Sequence, residues 1–199
     1  MTPLERMGYL AHAQTAAHRR KIAQARDLIA AHPDFAVSVS WGKDSMVLLH
    51  LAATVRPQVQ AVNIRYLHWA DRLADHDRVR DETLCREDLQ GVRYREIDCP
   101  GMWQVYERFG VHGLESKEGA AALRWFNQQF NAAVEQADCA GHIVGMRADE
   151  STRRKRLIKT RGQYYERADG RKMLLPLAWW SGRDVWAYLV AHDLPAMRI

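Results

Sequence analysis

Val37-Ser38-Val39-Ser40-Trp41-Gly42-Lys43-Asp44-Ser45-Met46-Val47-Leu48-Leu49-His50-Leu51 is the stretch that decides how this chain is read. The short, apolar, β-branched run Phe35-Ala36-Val37-Ser38-Val39 predicts a strand, and Met46 to Ala53 is long and apolar enough for a buried helix. Between them lies a turn of small, polar and charged residues. A strand that ends in a tight turn and feeds a helix presents unpaired backbone N–H groups and the positive end of the helix dipole, which together make an anion site. Ser40 and Ser45 add hydroxyl donors, Gly42 lets a phosphate approach the backbone, and Lys43 supplies a point charge. The spacing matches neither the G-x-x-x-x-G-K-S/T phosphate loop nor the G-x-G-x-x-G dinucleotide turn.

Outward from this loop, strands and helices alternate. Residues 4–31 repeat Ile22, Ala25, Leu28 and Ile29 near helical spacing and stop before His32-Pro33, which predicts one leading helix or two. A second strand is expected at 59–64, a charged helix at 71–89, a third strand at 92–97, a helix at 117–137 with Leu123, Phe126, Phe130 and Val134 on one side, and a fourth strand at 142–146. This rhythm predicts an α/β fold, a doubly wound, mainly parallel sheet covered on both faces by right-handed crossovers. After Met146 the chain turns basic through Arg161. Tyr164 to Met173 then reads as a polar hairpin with an Asp-Gly turn, and Ser181 with Asp184 caps a last helix carrying Val185, Trp186 and Leu189.

With 199 residues the chain suits one domain, 1–199, in which 1–32 is a leading helical segment and 147–199 a basic substrate-side segment with the last helix. The formal net charge of +5 fits a polyanionic ligand, and much of the excess sits in Arg153-Arg154-Lys155-Arg156. No apolar run comes after the first basic residues and none approaches the roughly 20 residues of a membrane span. Cys85, Cys99 and Cys139 form no C-x-x-C pair and read as buried small hydrophobes in a reducing compartment. A cytoplasmic protein with no membrane association is expected.

The loop resembles the Ser-Gly-Gly-x-Asp-Ser loop of the adenine nucleotide alpha hydrolase superfamily, the ATP pyrophosphatases with a PP-loop. The longer stretch 37–51 resembles the same region of the small subunit of ATP sulfurylase, with Trp41 where many members have Gly. Gly145-Met146-Arg147-Ala148-Asp149-Glu150-Ser151, with Arg153 and Arg154 after it, resembles the Gly-x-Arg-x-x-Glu-Ser…Arg segment of the phosphoadenylyl-sulfate (PAPS) reductase family. Pro176, Trp179 or Trp180, Asp184-Val185-Trp186 and Leu194-Pro195 resemble the next segment of that family's chains.

The resemblance implies a site for ATP or a related adenine nucleotide. Ser40, Trp41, Gly42, Lys43, Asp44, Ser45, Gly145, Arg147, Arg153 and Arg154 would bind it, Lys43 and Arg147 would act catalytically, and Asp44 would help hold Mg²⁺. Arg147 leaves the fourth strand on the loop's edge of the sheet, where its fork suits a phosphate or sulfate. Reductases of the family act through a cysteine in a Glu-Cys-Gly-Leu-His-like segment, and members with an iron–sulfur cluster carry paired cysteines. Residues 1–199 hold neither. The expectation is therefore an ATP pyrophosphatase or adenylyltransferase without an iron–sulfur cluster, acting on an oxyanion co-substrate. Its alternatives are a PAPS or adenylyl-sulfate reductase and a non-catalytic nucleotide or nucleic-acid binder using Arg153 to Arg156. Nucleic acid is not the favoured partner; a protein partner or homo-oligomer stays open.

Other features carry less. His68, Asp71, Asp75, His76 and Asp77 bunch near one helix start, but Arg72 and Arg78 between them favour surface ion pairs over a metal. Of the tryptophans, Trp125 and Trp186 are expected in the core, whereas Trp69, Trp103, Trp179 and Trp180 are the candidates for stacking on bases.

Overall fold

The structure, a computed structural model, describes residues 1–67, 70–110 and 117–195, with the backbone alone at 70–73, 102, 117 and 118. His68 and Trp69, and the side chain of Asp71, lie outside the described residues.

Two helices lead, α1 (Pro3–Ala13) and α2 (Ala16–Ala30), each opened by a threonine cap, Thr2 and Thr15. Strand β1 (Phe35–Ser38) comes next, then α3 (Lys43–Val55), β2 (Gln60–Leu67), α4 (Ala70–Leu84) and β3 (Arg93–Pro100). After them come α5 (Met102–Phe109), α6 (Lys117–Gln136), β4 (Gly141–Ile143), α7 (Thr152–Arg161), β5 (Tyr164–Glu166), β6 (Lys172–Leu174) and α8 (Gly182–Ala191).

The six strands form one sheet in the order β3-β2-β1-β4-β6-β5, parallel throughout except for β5 against β6. This is the doubly wound α/β sheet expected. Both faces are covered, so the central strands are apolar on both sides: Val37 and Ala61 face a large cluster with α2, α3 and α8, while Ala36 and Val62 face a smaller one with α6. Helix α3 is buried from Ser45 to Ala53, which explains its apolar circumference. β1 is central, with β2 on one side and β4 on the other. The chain thus reverses its winding direction there, and the loops after β1 and β4 part to leave the crevice in which ligands of such sheets bind.

Several boundaries differ from those the sequence predicts. β2 runs on to Leu67 because β3 pairs with it as far as Leu67 opposite Pro100, and that pairing overrides the charged residue in Asn63-Ile64-Arg65-Tyr66. The helix expected to reach residue 89 ends at Leu84, and Glu87–Leu89 is a separate 3₁₀ turn. β4 stops at Ile143, and the eight-residue α5 has no counterpart among the expected elements. Cys85 is exposed rather than buried. The hairpin forms as expected, with Gly170 at φ 79° in its turn, and so does the Ser181 and Asp184 capping box. No helix among the described residues is long and apolar enough to cross a membrane.

Candidate nucleotide site

Gly42 is the N-cap of α3 and has no side chain to cap it, so the first-turn N–H groups of α3 meet no capping side chain. The preceding turn is tied by its serines. The Ser40 N–H donates to Ser45 Oγ (3.1 Å), and the Ser45 hydroxyl donates to the Gly42 carbonyl (2.9 Å). Gly145, at the end of the neighbouring strand, packs so closely that a Cβ there would stand 3.2 to 3.3 Å from backbone and Cβ atoms of Asp44.

A cleft of about 430 Å³ opens above this turn. Ser40, Asp44 and Ser45 line one end; Val62, Ile64, Tyr66, Phe130 and Val134 form an apolar wall; Arg154, Arg167 and Arg171 line it together with His142 and Glu150. The Tyr66 ring is stacked on Phe126 and Phe130, at 5.8 and 6.3 Å between centroids. Burial, with Arg171 and Arg167 nearby, lowers the His142 pKa and keeps that imidazole neutral.

Of the residues expected at the ligand, Ser40, Asp44, Ser45, Gly145 and Arg154 line the cleft, whereas Trp41, Gly42, Lys43, Arg147 and Arg153 do not. Each displacement has a physical reason. Trp41 is 1% exposed, buried in the main core against Tyr94 at 5.3 Å between centroids, and contributes backbone rather than an aromatic surface. Lys43 folds back so that Nζ lies 2.7 Å from Asp44 Oδ2. Arg147 is buried, its Nε donating to Asp44 Oδ1 and its Nη1 to Asp149 Oδ2 at 3.2 Å. Its fork is therefore engaged with the acid of the loop and with Asp149. Arg153 projects from the exposed side of α7.

Asp44 consequently has one cation on each carboxylate oxygen. Mg²⁺ takes one or two carboxylates alongside phosphates, and Asp44, so paired, does not fit that role. The other carboxylate lining the cleft, Glu150, is held by the Arg147 amide (2.9 Å) and by Arg154. Burial pushes the Glu150 carboxyl up, but those two partners outweigh it and hold the pKa below its ordinary value. Asp75 is bonded to the Arg78 guanidinium (2.9 and 2.7 Å), the ion pair expected for that helix.

Sequence reasoning missed the far wall. Val62, Ile64 and Tyr66 have the period of two that puts them on one face of a strand, and Phe126 and Phe130 the i, i+4 spacing of one helix face, so half the signal was present. That the two faces enclose one cleft depends on α6 crossing β2.

The model of the phosphoadenosine phosphosulfate reductase domain matches residues 34–199. The chain belongs to this family. The PAPS reductase of Xylella fastidiosa (strain M23) is 25% identical over 191 residues, covering 92% of this chain and 73% of that protein. The one from Xanthomonas axonopodis pv. citri (strain 306) is 28% identical over 169 residues, covering 80% and 63%. Among solved structures, PAPS reductase from Candida auris in a phosphate complex superposes with a TM-score of 0.61 at 14% identity, over 87% of this chain and 82% of that one. The U34-tRNA thiolase of Methanococcus maripaludis, solved with its [4Fe-4S] cluster, gives 0.59 at 12% identity, over 90% and 67%. These two share the fold of this family member. The relatives named are enzymes, and the segments that carried the resemblance, around 37–51 and 145–195, fall almost wholly inside the matched range.

Proposed function

We propose that the cleft binds an adenine sulfonucleotide of the PAPS class and positions its sulfate for reductive transfer. The observation that carries this reading is one cleft lined by anion-binding groups from two parts of the chain and by an apolar wall. The uncapped first turn of α3 offers N–H donors to a 5′-phosphosulfate, with the Ser40 and Ser45 hydroxyls holding the turn that presents them. Tyr66, Ile64 and Phe130 offer contact area to the nucleoside, and Arg154, Arg167 and Arg171 offer charge-assisted hydrogen bonds to a 3′-phosphate. Bound this way, the nucleotide's phosphate is the leaving group when a thiol attacks sulfur, and the α3 dipole and N–H groups stabilise the charge it gains. Among the described residues no cysteine lines the cleft; the roles assigned to this chain are binding and charge stabilisation.

A second reading, cleavage of ATP between its α and β phosphates, is favoured by the loop sequence Ser40-Trp41-Gly42-Lys43-Asp44-Ser45, which resembles that of the ATP pyrophosphatases. Calorimetric titrations with PAPS, adenylyl sulfate and ATP, the last with and without Mg²⁺ and alongside pyrophosphate release, separate the two. PAPS should bind about tenfold tighter than adenylyl sulfate, the difference expected of a charge-assisted hydrogen bond. Arg171→Ala should remove that preference and leave adenylyl sulfate binding in place. Tightest binding by ATP with pyrophosphate release selects the second reading, and binding by none of the three removes the nucleotide site altogether.

A further inference from the structure

Outside the lining of the cleft, three side chains from three helices converge. His12 Nε2 on α1 lies 2.8 Å from Asp184 Oδ1 on α8, His18 Nδ1 on α2 lies 3.3 Å from the same oxygen, and one ligand atom of each residue falls within 4.8 Å of the others. Donors around a tetrahedral zinc ion, at bond lengths of 2.0 to 2.2 Å, stand about 3.4 Å apart. The three atoms are therefore near the separations such an ion imposes.

The carboxylate is also oriented as a ligand would be. Asp184 Oδ2 receives the Ser181 N–H, the Ser181 hydroxyl and Lys21 Nζ, each at 2.7 Å, which turns Oδ1 toward the two imidazoles. Counted as hydrogen bonds, this places five donors on a carboxylate with about four lone-pair positions. A cation between Oδ1 and the two nitrogens relieves the excess. The His18 ring is wholly buried, with Nδ1 toward the carboxylate. His12 keeps 21% of its side chain exposed, which leaves an entry path and room for a water as a further ligand.

We propose that His12, His18 and Asp184 form a binding site for a first-row divalent cation, with zinc the best match to two imidazoles and a carboxylate. Its occupancy staples α1 and α2 to the start of α8. From there the Gly182 N–H reaches Asp149 Oδ2 (2.9 Å), and Asp149 in turn holds Arg147 behind the phosphate loop. The site thus supports the cleft without facing it. Lys21, beside Oδ2, offsets part of the carboxylate's charge and weakens binding relative to an unopposed site.

The test is titration of the chelator-stripped full chain with Zn²⁺ by calorimetry and with Co²⁺ by visible absorption. One saturable equivalent is expected, with cobalt d–d bands of low coordination number and a raised Tm. His12→Gln keeps an N–H donor for Oδ1, so the helix contact and the fold survive, yet it should lose that equivalent and its cobalt bands. Lys21→Met should bind zinc several-fold more tightly. Absence of a saturable equivalent in the unaltered chain, or an equivalent of unchanged affinity in His12→Gln, overturns the proposal; in either case the cluster is a hydrogen-bonded clamp only.

Discussion

Trp41 has φ 57°, the left-handed region that glycine enters freely and a tryptophan does not. Glycine would enter that conformation without strain. Here the strain, roughly 1–2 kcal/mol, is offset by burying the indole between the loop and Tyr94. Replacing a buried aromatic with a small residue costs about 3–5 kcal/mol. Trp41→Gly should therefore relieve the backbone yet destabilise the fold by about 2–3 kcal/mol, as read from urea melts; a stabilised variant would show that the indole contributes little to packing. The same residue illustrates why the aromatic expected at the ligand lies elsewhere: a side chain at positive φ leaves the turn toward the core, and Tyr66 and Phe130 face the cleft instead. Trp180 is buried, Trp103 and Trp179 are exposed, and Trp186 packs half-buried against the core.

At the scale of elements, the site depends on how closely the end of β4 approaches the start of α3. Gly145 is the contact. A methyl at 3.2 to 3.3 Å from Asp44 must push the first turn of α3 by a few tenths of an ångström, at the N–H groups assigned to the anion in the proposed function. Gly145→Ala is expected to cost only about 1 kcal/mol of stability but to weaken nucleotide binding about tenfold. Equal losses in both would mean the contact serves packing alone. Helix α7 poses the opposite case. Arg153, Lys155, Arg156 and Lys159 are exposed and, among the described residues, have no ion-pair partner, whereas Arg154 lines the cleft and is bound to Glu150. Changing the first four to serine should leave sulfonucleotide affinity within about twofold and stability within about 0.5 kcal/mol. A large loss of affinity would place the ligand on the outer face. Salt-sensitive binding of RNA or DNA that the same changes abolish would support the nucleic-acid alternative.

At the scale of the whole molecule, burial lowers the pKa of His50 despite its contact with Asp88, and of His142 beside Arg171 and Arg167. A histidine whose folded pKa lies below the unfolded value of about 6.5 binds fewer protons folded than unfolded. Its contribution is fully present above about pH 6.5 and is lost as the pH falls toward the folded value. Stability should thus decline between about pH 7 and pH 5, before most carboxylates titrate, by up to about 1.4 kcal/mol per pH unit for each such histidine. Urea melts at stepped pH, with chelator present, check this; a flat profile over that range would mean these rings protonate in place.

Local pattern and tertiary structure divide this protein unevenly. Strand-loop-helix order, the tight turn of Ser40 to Ser45, the Asp-Gly hairpin and the Ser181 cap of α8 were all legible, because each is set by residues within a few positions of one another. What the local pattern left open is which distant groups meet. Asp44 with Arg147 spans 103 residues and Asp184 with His12 spans 172, and both pairs exist because the sheet order sets β4 beside β1 and packs α8 against α1. Charges pair with whatever lies within a few ångströms, and no periodicity encodes that neighbour. So the sequence located the loop, while the tertiary structure decided that Lys43 and Arg147 hold Asp44, that Arg167, Arg171 and Tyr66 complete the cleft, and that two histidines of the leading helices converge on the last.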